Sequence, residues 1–69
     1  MKLRWQTRDG RKMKIKKMSN QHLMNTISML HGKKVFLRNS RAATTVINMY
    51  LEAMEAELEK RAKRGLIDD

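Results

Sequence analysis

Apolar and polar residues alternate along the start of the chain: Leu3, Trp5 and Thr7 share one parity, Arg4 and Gln6 the other. A period of two is the mark of a half-buried strand. Asp9-Gly10 follows, the pair that favours a type I′ turn with positive φ at both central residues. Beyond it Lys12-Met13-Lys14-Ile15-Lys16 alternates again, with Met13 and Ile15 on one face and the lysines on the other. Residues 3–16 therefore predict a two-stranded hairpin, apolar on one side and cationic on the other. A lone hairpin is not stable in water, so other elements must cover Trp5, Met13 and Ile15.

The period then lengthens. Ser19 is placed to cap a helix, with Met18 and Leu23 at the two positions of a hydrophobic staple. The helix is expected over about 20–30, with Leu23, Ile27 and Leu30 on one face, and Gly32 in a left-handed position beyond its end. Residues 33–38 read as a connector or third strand, anchored to the core by Phe36 and Leu37. Asn39 or Ser40 can cap a second helix over about 40–64, closed by Gly65. Its stripe is Ala43, Val46, Ile47, Tyr50, Leu51, Met54 and Leu58, at spacings of three and four. Glu57 with Arg61, and Glu59 with Lys63, are acid-first pairs four apart. Lys60, Arg61, Lys63 and Arg64 complement the negative end of the helix dipole. At roughly 36 Å by the helical rise, this helix is about twice the length of the first. Part of its stripe would stay wet in a monomer. The expectation is a single α+β domain over residues 1–69: a hairpin, a short helix and a long C-terminal helix. It is expected to form a homo-oligomer, most simply a dimer packed through Ile47, Tyr50, Leu51, Met54 and Leu58. The expected core contains Trp5, Met13, Ile15, Leu23, Ile27 and Val46.

Composition sharpens this picture in three ways. Sixty-nine residues leave a small core, and the absence of cysteine removes a disulfide framework. Two histidines without an obvious carboxylate partner point away from a structural metal, which leaves association of copies as the reinforcement. The longest apolar runs span three residues, such as Val35-Phe36-Leu37, so neither a membrane span nor a signal peptide is expected. The net charge of +9 is segregated. Residues 1–41 carry twelve bases against Asp9 alone, while residues 42–69 carry four bases against six acids. Such an excess at one end favours an anionic partner: a nucleotide, a nucleic acid or an acidic protein.

Catalysis has little to use. The basic half offers no paired carboxylates, the chain no thiol, and Gly10, Gly32 and Gly65 are too far apart to form a phosphate loop. A non-enzyme without a cofactor is expected. The candidate ligand site gathers Lys14, Lys16, Lys17 and Ser19 at the start of the first helix, where a positive dipole end favours phosphate. His22 and Asn25, three apart on that helix, could read a ligand by hydrogen bonds or could serve the local backbone. Trp5 could stack on a base, although a single tryptophan is more often core. Arg38 and Arg41 could close the pocket from a second copy.

The order Trp5, Thr7, Gly10, then Met18, His22, Leu23, Asn25 and Ile27 resembles a pattern of small phage and prophage proteins, W-x-T-x-x-G followed by M-x-x-x-H-L-x-N-x-I. The resemblance covers about residues 3–30. It implies a viral origin and an accessory role in the cytoplasm of an infected bacterium, in the style of proteins that sequester a nucleotide signal of host defence. Two functions compete. One is a non-catalytic oligomer whose basic pockets capture a nucleotide. The other is a DNA- or RNA-binding protein using the lysine face of the hairpin, although residues 20–30 contain no Lys or Arg. A third is an inhibitor docked on an acidic host protein.

Overall fold

A computed structural model of the protein describes residues 3–7 and 9–65; residues 1–2, Arg8 and residues 66–69 lie outside the described set. The chain forms a two-stranded antiparallel hairpin followed by two helices. Strand β1 is Arg4–Gln6 and β2 is Lys12–Lys14, with Trp5 paired to Met13 and Arg4 to Lys14. Partners across a ladder lie on one face, so Trp5 and Met13 turn together toward the helices while Arg4, Gln6, Lys12 and Lys14 share the other face. The predicted alternation places both faces correctly.

The turn differs from the expected type I′. Gly10 has a φ of 89°, but Asp9 is not at positive φ. Instead the Gly10 N–H donates to the Thr7 carbonyl at 2.9 Å and the Thr7 N–H to the Arg11 carbonyl at 2.7 Å. The Asp9 carboxylate accepts from the Thr7 hydroxyl and from the Arg11 N–H at 3.3 Å. Those two bonds hold its pKa below the ordinary value of 3.8, the hydroxyl contributing most. After Lys14 the strand does not continue. Ile15–Lys17 form a 3-10 turn that drives Ile15 into the core.

Helix α1 spans Asn20–Phe36. Ser19 caps it by accepting from the His22 N–H at 3.1 Å, and the staple residues Met18 and Leu23 are both buried. The helix does not stop at Gly32. It runs through that glycine at ordinary helical φ and absorbs residues 33–36, which the sequence assigned to a connector. A helical glycine costs only about 1 kcal/mol relative to alanine, and Lys33, Lys34, Val35 and Phe36 include no breaker. Phe36 consequently projects into solvent, 90% exposed, rather than anchoring the core.

Helix α2 spans Arg41–Lys63, capped by the Ser40 hydroxyl accepting from the Ala43 N–H at 3.3 Å. Gly65 follows it at a φ of 70°. Asn20, at the start of α1, bonds to Arg61, near the end of α2, so the helices run antiparallel. Their shared core is Ile15, Met18, Leu23, Leu30, Ile47, Leu51 and Met54, flanked by half-buried Leu3, Trp5, Met13, Ile27, Tyr50 and Leu58. Val46 is not part of it: 51% exposed, it lies about 100° around the helix from Ile47. The interface proposed for a second copy is also corrected. Ile47, Leu51 and Met54 are the chain's own core, in one cluster with Leu23 and Leu30 of α1. Among the described residues, no helix is long and apolar enough to cross a membrane.

Candidate ligand-binding clefts

Tyr50 fixes β1 to the helices. Its hydroxyl donates to the Arg4 carbonyl at 2.9 Å. Its ring meets that of Trp5 nearly edge to face, with centroids 5.4 Å apart and planes at 81°. So held, Trp5 forms one wall of a cleft of about 560 Å³ between β1 and α1, lined also by Gln6, His22, Asn25, Thr26, Met29 and Lys33. His22, Asn25, Thr26, Met29 and Lys33 recur at spacings of three and four, so one face of α1 supplies the opposite wall.

Three residues singled out in the sequence, Trp5, His22 and Asn25, therefore come together. Trp5 offers aromatic surface and Lys33 a positive charge. Asn25 Oδ1 accepts from Gln21 Nε2 at 2.9 Å, which leaves its Nδ2 group to donate. His22 uses its backbone N–H in the cap, while its imidazole also lines a neighbouring cleft with Thr7, Asp9, Arg11, Lys12 and Met13. Comparison with protein families, curated proteins and solved structures found no match. The chemistry of the site thus rests on its own residues.

The remaining candidates are dispersed. Ser19 is the cap itself. Lys14 lies opposite Arg4 on the hairpin face turned from the helices, and Lys17 ends the 3-10 turn, exposed. Arg38 and Arg41 flank the turn between the helices, roughly 25 Å from Ser19 by the rise of α1, so within one chain they cannot join the start of that helix. Lys16 belongs to a separate cleft of about 460 Å³ with Asn20, Glu57, Lys60, Arg61 and Arg64.

Gln6 and two groups of cations escaped the sequence reading. Lys33 was hidden by ending α1 before Gly32; continued as a helix, the sequence places it four residues beyond Met29 on the His22 face. Lys60, Arg61 and Arg64 were assigned to the helix dipole, and no local signal brings Lys16 to them. His31 lies within α1 with its Nε2 3.6 Å from Glu55. Among the described residues no group of three or more His, Cys, Asp or Glu could hold a metal ion.

Proposed function

We propose that this protein is a non-catalytic binding module that captures an anionic nucleotide in the cleft between β1 and α1. The carrying observation is that Trp5, Gln6, His22, Asn25 and Lys33 line one cleft, of a volume in the range of small-molecule sites. Trp5 presents ring surface to the base, Gln6 and Asn25 supply directional amides for its edge, and His22 and Lys33 meet the phosphate. Shielding a nucleotide in this way is sequestration. With the phage-like pattern of residues 3–30, it supports a role in withholding a defence signal in the host cytoplasm. Pairing of copies would use exposed apolar residues such as Val35, Phe36, Val46 and Met49, since the stripe of α2 is occupied.

One observation favours the nucleic-acid reading: Arg4, Lys12 and Lys14 form a cationic ladder on the hairpin face turned from the helices. Salt separates the two. A pocket with one or two phosphate contacts loses affinity gently with salt, whereas a surface neutralising many phosphates loses it steeply. The experiment is to incubate the purified protein with a panel of mono- and dinucleotides, remove unbound ligand, denature the protein and identify what is released. Release of one nucleotide in stoichiometric amount is expected. Failure to retain any, together with salt-steep binding to oligonucleotides, would replace this reading with the second.

A further inference from the structure

Arg61 is held more firmly than any other described cation. Its side chain is 11% exposed. Nε donates to Glu57 Oε2 at 2.8 Å, Nη1 to Asn20 Oδ1 at 2.7 Å and Nη2 to the Lys16 carbonyl at 3.1 Å. Those bonds tie α2 to α1 and to the 3-10 turn, and they fix the plane of the guanidinium. A guanidinium has five N–H donors, so two remain in a set geometry. The cleft these groups share adds Lys16, Lys60 and Arg64, all exposed. Lys60 lies in the last turn of α2 and Arg64 caps its end, four residues on, with Arg61 between them in the chain.

The balance of charge at this corner can be judged. The positive start of α1 meets the negative end of α2, so the two helix dipoles largely offset one another. Among the described residues that line the cleft, four cations face the single carboxylate of Glu57. That carboxylate is engaged with Arg61, which leaves Lys16, Lys60 and Arg64 free of any acid lining the cleft. Pairing Glu57 with Arg61 explains one base at the end of α2. It does not explain why the others converge with Lys16, forty-four residues away in the chain.

We propose that this cleft is a second anion site, distinct from the one between β1 and α1, that takes a diphosphate group of a small ligand. Charge converging on one pocket suits a compact, multiply charged oxyanion, whereas a nucleic-acid backbone needs cations strung along a track. The two unused N–H groups of the Arg61 fork donate to phosphate oxygens, and the lysines and Arg64 neutralise the remaining charge.

The test is calorimetric titration of the full chain with inorganic pyrophosphate at low ionic strength, against chloride at matched ionic strength. One pyrophosphate should bind per chain. The double variant Lys60→Gln/Arg64→Gln, at exposed positions that leave the core intact, should weaken binding by about tenfold. The charge-matched variant Arg38→Gln/Arg41→Gln, at the other end of the helices, should bind like the parent. Equal weakening in the two double variants would make the effect one of net charge and overturn the site. So would a Lys60→Gln/Arg64→Gln variant that loses oligothymidylate binding but keeps pyrophosphate. The nucleotide reading is tested by retention from the nucleotide panel in a cleft that shares no lining residue with this one, so failure here and failure of that reading are distinguishable.

Discussion

Replacing Tyr50 by Phe removes one oxygen and tests what holds the wall of the cleft between β1 and α1. The ring and its edge-to-face contact with Trp5 persist, so only the 2.9 Å bond to the Arg4 carbonyl is lost. A neutral hydrogen bond contributes about 0.5–1.5 kcal/mol net. Arg4 is exposed, so its freed carbonyl regains water, and the loss falls at the low end, about 0.5–1 kcal/mol. The bond is absent both when the hairpin opens and when the chain unfolds. Both states should therefore become about two- to fivefold more accessible. Hydrogen exchange should show the ladder amides of β1 and β2 exchanging faster by that factor, and urea unfolding should show the matching fall in stability. Amides of α2 that exchange by local opening of the helix do so without breaking this bond and should be unchanged. Unaltered hairpin exchange would refute the tether, and a loss well above about 1.5 kcal/mol would mean that Tyr50 does more than this geometry allows.

Other substitutions probe other parts of the account. Gly32→Ala should stabilise the fold by about 0.5–1 kcal/mol, because the glycine is helical and nothing lies within 4 Å of an added Cβ; a lower melting temperature would contradict the continuous α1. Leu51→Asp places a carboxylate where a core side chain is only 4% exposed, and should abolish cooperative unfolding at neutral pH. A folded monomer released from an assembled parent would instead restore the interface reading. Asp9 has a folded pKa below its unfolded value, so the turn gains stability from it above about pH 4 and loses that gain as pH falls through the depressed pKa. An NMR pH titration of the Thr7 and Arg11 amides should follow this, with the response gone in Asp9→Asn.

Much of the fold was legible because its signals are local. Ser19 and Ser40 cap helices where hydroxyls precede apolar periodicity, and Gly10 and Gly65 sit at positive φ where the pattern breaks. Gly32 looked the same but is not, since a mild helix penalty becomes a terminus only if the following residues prefer another state. The missed connector then propagated. A short α1 left the stripe of α2 uncovered and suggested a second copy, and it removed Lys33 from the His22 face. Phase around α2 was a separate problem, because Val46 and Ile47 are both apolar and only contact with α1 chooses between them. Trp5, His22 and Asn25 stood out in the sequence by side-chain type, and the fold places them along one cleft. Lys16 meeting Lys60, Arg61 and Arg64 is a product of the antiparallel helix pair, which no local pattern encodes.

The chain has a single tryptophan, and it forms a wall of the cleft, so its fluorescence reads the central claim directly. Titration with the nucleotide retained from the panel should quench Trp5 emission saturably, with a shallow dependence on salt. His22→Ala and Asn25→Ala should abolish the response while keeping the parent's thermal melt. Binding that leaves Trp5 emission unchanged, or that persists in both folded variants, would contradict capture between β1 and α1.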